Sequence, residues 1–158
     1  MKKNINRTVK KVLDSLGCEY ARRDEDGLTL FAFLHVEDRC EYILTLNADE
    51  ANGVLVVTGF YPELGKVTDE NYGRVSRAID VLNYECPVGA ILVNPTNGEL
   101  SYRITHCVDG ETVNKVFVRI LLGMVIERMK ATVETLGESL AGTKRIQTCR
   151  ESVQHEQS

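Results

Sequence analysis

The sequence predicts an α+β domain: an antiparallel sheet with three helices on one face, in the order helix, strand meander, helix, hairpin, long helix. Three observations lead there. Apolar residues recur at helical spacing in three separate stretches. The runs between them alternate, and turn-forming Asp-Gly, Asn-Gly or polar clusters punctuate them. The segment from Arg77 to Gly110 concentrates the pattern: a helix end, a break at Pro87 and Gly89, a hairpin closed on Asn97-Gly98, and a second break before a long helix.

The first helix is expected over residues 4–16. Ile5, Val9, Val12, Leu13 and Leu16 share one face, and Gly17 suits the left-handed position past the last turn. A short strand at 19–23 meets Asp24-Glu25-Asp26-Gly27, a hairpin turn whose acids lack the spaced oxygen ligands of a calcium loop. Three strands follow at 28–36, 40–47 and 54–61, joined by Glu37-Asp38-Arg39 and by a polar turn at 49–53. Alternation groups Leu28, Leu30, Ala32, Leu34 and Val36 on one face of the first, with Cys40, Tyr42, Leu44 and Leu46 as the matching set on the next. The opposite face carries Phe31, Phe33 and Ile43, and the third strand is apolar on both faces. A sheet with helices on one side should keep a wet second face, so this one is either covered or a contact surface.

The second helix is expected to start near Thr68, capped by Thr68 with Asn71 as a partial capping box or by Asp69, and to stop near Tyr84 ahead of Pro87. Its apolar stripe is Tyr72, Val75, Ala78, Ile79 and Leu82. Strands at 89–94 and 100–106 then pair across 95–98. The long helix begins at Glu111 or Thr112 and ends at Leu140. Its first half is apolar nearly all round. One stripe, Val113, Val116, Phe117, Ile120 and Met124, can cover the sheet. A second, Val118, Leu122, Val125 and Met129, must be buried against another helix or another subunit. From residue 142 onward the chain is polar and aperiodic, a disordered tail after a single domain spanning 1–141.

Composition narrows the function classes. The 158 residues carry a net charge of −4 with no dense basic cluster, which argues against nucleic acid as a partner. No run approaches the roughly 18 apolar residues of a membrane span, and the N-terminus is not a signal peptide, so a cytoplasmic location without membrane association is expected. Five scattered cysteines without close spacing read as free thiols. His35, His106 and His155 have no complementary ligands at metal spacing, and adjacent strand residues such as His106 and Cys107 point to opposite faces. No nucleophile is marked by a base, and no glycine-rich loop offers a phosphate cradle. Catalytic residues, metal and cofactor are therefore expected to be none.

The residues Leu13 to Tyr20 (LDSLGCEY), Asp24 to Gly27 with Leu28 to Phe33, Arg77 to Asn83 (RAIDVLN), and the stretch Val88 through Tyr102 resemble the YbjN-like family, over about residues 5 to 140. Two places depart from its pattern: Tyr84-Glu85-Cys86, where the family often has a second Asn, and Tyr61-Pro62-Glu63-Leu64, where its prolines are denser. That family is described as candidate bacterial sensory transduction regulators and is similar in fold to type III secretion chaperones. The resemblance implies a chaperone-like α+β domain, homodimers that hold an unfolded segment of another protein on apolar surface, and neither enzyme activity nor cofactor.

Surplus apolar surface leads to the same expectation: a protein-binding module, chaperone-like or regulatory, forming a homodimer and capturing an unidentified protein or peptide segment. The expected partner-binding face is Phe31, Phe33, Ile43, Leu55 and Val57. The expected self-association residues are Val75, Ile79 and Leu82 on the second helix and Val118, Leu122 and Val125 on the third. The alternative is a small-ligand-binding regulatory domain in bacterial signalling, for which Tyr102, Arg103 and His106 are the candidate polar groups.

Overall fold

A computed structural model describes residues 4–37, 40–61, 63–108 and 113–142, without the side chain of Cys40. The expected start of the long helix at 111 or 112 and the expected tail at 143–158 lie outside the described residues. The elements are α1 (Ile5–Ser15), β1 (Tyr20–Glu25), β2 (Leu28–Glu37), β3 (Cys40–Asp49), β4 (Val54–Phe60), α2 (Tyr72–Tyr84), β5 (Ala90–Val93), β6 (Leu100–Cys107) and α3 (Lys115–Ala141). The six strands form one sheet in the order β1-β2-β3-β4-β6-β5, antiparallel throughout. The α+β class, the meander, the β5–β6 hairpin and the three helices stand as the sequence predicts.

Local chemistry sets the turns and caps. β1 and β2 close on Asp26-Gly27, both at positive φ (49° and 81°), the two-residue loop whose twist matches the strands. α2 begins at Tyr72 rather than Thr68. Half of the expected capping box is nevertheless present ahead of it, since Asn71 Oδ1 accepts from the Thr68 N–H at 2.8 Å. Asn114 caps α3, its Oδ1 accepting from the Val116 N–H at 2.9 Å. At the other end the Arg74 guanidinium donates to the carbonyl of Ser139 at 3.2 Å, placing a cation where the helix carries its partial negative charge.

Directly paired strand residues share a face, so the register defines two surfaces. The inner one carries Phe31 and Phe33 of β2, Tyr42, Leu44 and Leu46 of β3, Leu55 and Val57 of β4, and Tyr102 and Ile104 of β6, all buried. The helices cover this side with Val9, Val12 and Leu13 of α1, Val75, Ile79 and Leu82 of α2, and Val118, Leu122, Val125, Met129 and Leu136 of α3. Gly59 lies under α3: a Cβ built there would stand 2.0 Å from Met129 Sδ and 2.9 Å from Val125 Cγ1. Tyr20 and Arg22 fold over the Phe31 ring from β1, at 5.7 Å between ring centroids and 5.6 Å from guanidinium carbon to centroid.

The sheet's edge at β5 is closed by a side chain. Asn83, near the end of α2, accepts from the Ile91 N–H at 2.7 Å and donates to the Ile91 carbonyl at 3.1 Å. One amide thus substitutes for a neighbouring strand and blocks pairing with another chain at that residue.

Candidate functional site

The second surface of the sheet carries Leu28, Leu30, Ala32, Leu34 and Val36 of β2, Glu41, Ile43, Thr45, Asn47 and Asp49 of β3, and Val54, Val56, Thr58 and Phe60 of β4, continued by Ser101, Arg103 and Thr105 of β6. No described helix lies over it. Leu34, Ile43 and Phe60 form a continuous cross-strand row, and the first two are 53% and 41% exposed. Val36 is 60% exposed. Leu30, Val54, Val56 and Phe60 are half-buried. Leu34, Val36 and Ile43 are thus neighbouring large apolar side chains open to solvent. The rim of this face carries both signs of charge, with Arg23 paired to Glu25 at 2.9 Å on β1 and Arg103 on β6.

The row runs into a cavity of about 250 Å³ at the end of the sheet. Ile43 and Phe60 form its floor side, Tyr61, Leu64 and Leu100 its apolar walls, and Lys66 and Glu99 stand at it with Nζ and Oε1 4.0 Å apart. This is below the ~300–1,000 Å³ of ordinary small-molecule pockets. The loop over it is held by the Val67 N–H, which donates to the Gly98 carbonyl at 2.9 Å.

Tyr61 links the cavity to the core. Thr132 Oγ1 donates to the Arg128 carbonyl at 2.8 Å, so the Tyr61 hydroxyl, also at 2.8 Å, is the donor to Thr132. Burial pushes the Tyr61 phenol up from 10.0 to about 12. Burial pushes Tyr102 upward as well. A phenol whose ionisation is disfavoured in the fold contributes stability that is complete below about pH 10 and lost as pH rises through its folded value, near 12 for Tyr61. Denaturation midpoints are therefore expected to fall between pH 10 and 12 in the wild type, and less steeply in Tyr61→Phe.

The structure corrects the expected binding face. Phe31, Phe33, Leu55 and Val57 are core residues beneath the helices, and of the five expected residues Ile43 alone lies on the open face. The cause is a one-residue register difference. A three-residue connection, Glu37-Asp38-Arg39, would pair Val36 with Cys40, whereas Glu37 pairs with Cys40 and only positions 38 and 39 intervene. Because side chains alternate with a period of two, that single residue exchanges the faces. Leu44 and Leu46 then stand beside Phe33 and Phe31, making the bulkier apolar surface the one the helices cover. On the open face Leu34 stands exposed, with Val56 and Phe60 half-buried beside it, and none of the three belongs to the expected binding set.

The expected self-association residues are corrected too. Val75, Ile79, Leu82, Val118, Leu122 and Val125 are all buried within the protomer. On α3 the stripe expected to need a second partner faces the sheet. The stripe expected to cover the sheet leaves Val116, Ile120 and Met124 exposed. Nor do the candidate ligand groups converge. Tyr102 points inward and its hydroxyl donates to the Val88 carbonyl. Arg103 points to the open face, and the His106 ring packs on Phe117 at 4.3 Å between centroids.

No family model and no curated protein matches the chain by sequence. Its structure is similar to the crystal structure of YbjN from E. coli, described as a candidate transcription regulator, with a TM-score of 0.59 over 87% of this chain and 93% of that one at 10% identity. The chain thus has a YbjN-like fold, as the resemblance implies. No described helix is long and apolar enough to cross a membrane.

Proposed function

We propose that this chain is a non-enzymatic protein-binding module, chaperone-like or regulatory, that holds an extended or helical segment of another polypeptide on the outer face of its sheet. The observation that carries this reading is the uncovered row Leu34–Ile43–Phe60 leading into the cavity beside Leu64 and Leu100. A segment laid along the row would bury Leu34 and Ile43 and seat one large apolar side chain in the cavity. Fully burying a side chain of this size contributes about 1.5–3 kcal/mol. Side-chain burial rather than strand addition is the mode, because Asn83 closes the β5 edge and Arg23–Glu25 lies along β1. A regulatory role is consistent with the description of the protein whose fold it shares. Free thiols at Cys18, Cys86 and Cys107 suit a reducing cytoplasm, where we place the protein.

The test is capture of a permanently unfolded polypeptide, reduced and carboxymethylated lactalbumin, by the intact chain. Leu34→Glu with Ile43→Lys replaces an exposed apolar pair by an opposite-charge pair that a strand ladder accepts. Capture is expected to be lost with the far-ultraviolet spectrum unchanged. Undiminished capture by this variant would remove the sheet face as the binding surface.

A further inference from the structure

The sheet face leaves one other apolar surface unused, on the opposite side of the molecule. On the outward side of α3, Val116 is 60% and Ile120 50% exposed, with Met124 beside them and Gly123 at the middle. A Cβ built on Gly123 meets nothing within 4 Å, so this glycine is not required by packing inside the protomer. Four residues before Gly123 stands Arg119, and four after it stands Glu127, both exposed. Residues four apart on a helix lie on the same face. The strip therefore reads cation, small residue, anion along its length, with large apolar residues between.

Such a strip is complementary to itself when reversed. If two copies of α3 cross antiparallel at Gly123, each Arg119 faces Glu127 of the other copy, giving two ion pairs related by the two-fold axis. Ile120 and Met124 of each helix then pack beside the other's backbone, which the missing side chain at Gly123 lets come close. A parallel pairing would instead set Arg119 against Arg119. We infer that the outward strip of α3 is the contact between two copies of this chain in an antiparallel, two-fold homodimer. Present contacts do not forbid it. Arg119 spends one guanidinium nitrogen on Ser15 Oγ at 2.8 Å, and its other donors remain for a carboxylate. Glu127 holds Lys130 only at 3.7 Å with its side chain 74% exposed. The surface is distinct from the sheet face, so neither reading depends on the other, and both can hold in one particle: dimerisation through the helices would leave two sheet faces pointing outward.

A single helix pair lies at the small end of specific interfaces, so the dimer is expected to dissociate within an accessible dilution series. The experiment is sedimentation equilibrium of the full chain and of Arg119→Glu, Glu127→Arg, the double exchange and Gly123→Arg. Each single reversal is expected to weaken dimerisation at least tenfold, because it sets like charges face to face at both symmetric positions. The double exchange restores opposite charges and should recover the dimer to within about threefold of wild type. Gly123→Arg should be monomeric with unchanged circular dichroism, since its side chain points into open space. A wild-type monomer at every concentration would overturn the inference. So would a dimer indifferent to the single reversals, or one that the double exchange fails to restore.

Discussion

Phe31→Asp is expected to unfold the domain, while Leu34→Glu with Ile43→Lys is expected to leave it folded. The three positions lie close together in the chain on two adjacent strands, and the outcome turns only on which way each side chain points. Phe31 is fully buried, packed by Tyr20 and Arg22 from β1 and set beside Leu46 on β3. Truncating a buried Phe costs about 3–5 kcal/mol. A carboxylate in its place adds the penalty of an unpaired buried charge, several kcal/mol more. A domain of this size has about 5–15 kcal/mol in all. Leu34 and Ile43 are substantially exposed, and surface substitutions away from special features usually change stability by no more than about 0.5 kcal/mol. Urea titration followed by circular dichroism measures both. A folded Phe31→Asp would mean that the two faces of the sheet are assigned the wrong way round.

The second large effect is expected at Gly59. It is the next-to-last residue of β4 and does not take a positive φ, so its importance is steric and not a matter of backbone freedom. A Cβ there meets Met129 Sδ at 2.0 Å, Val125 Cγ1 at 2.9 Å and Leu44 Cδ2 at 3.2 Å. Met129 is flexible and can swing aside, so Gly59→Ala should cost about 1–3 kcal/mol. Gly59→Val also drives methyl groups against Val125 and Leu44, which have less room to give, and the cost should reach about 3 kcal/mol or more. Because Met129 and Val125 both belong to α3, the valine should also displace that helix and change the near-ultraviolet spectrum. Denaturation midpoints for the two variants that match wild type would show that α3 does not rest on the strand backbone.

Much of the fold is legible in the sequence because its punctuation is local. Asp26-Gly27 and Asn97-Gly98 specify turns, Pro87 stops α2, and Gly142 follows the end of α3 at positive φ. The faces of the sheet are less legible because they depend on one connection. Whether two or three residues join β2 to β3 decides whether Phe33 sits beside Leu44 or across the sheet from it, and both lengths fit an acidic, basic turn. The two stripes of α3 pose the same difficulty, since both are apolar in the first half of the helix. A signal was available there: Val118, Leu122, Val125 and Met129 continue to Thr132 and Leu136, whereas the other stripe gives way to Glu127 and Glu134 after Met124. The stripe that persists along the whole helix is the one the sheet buries. The Asn83 clasp on Ile91 leaves no such trace, because it arises only once α2 packs beside β5.

The sheet-face reading is tested most directly by titration calorimetry of reduced, carboxymethylated lactalbumin into the wild-type chain and into Leu34→Glu with Ile43→Lys. The expected result is binding by the wild type with a negative heat-capacity change, the mark of buried apolar surface, and at least a tenfold weaker affinity in the variant. Equal affinity in the two proteins, or no binding by the wild type, would contradict it.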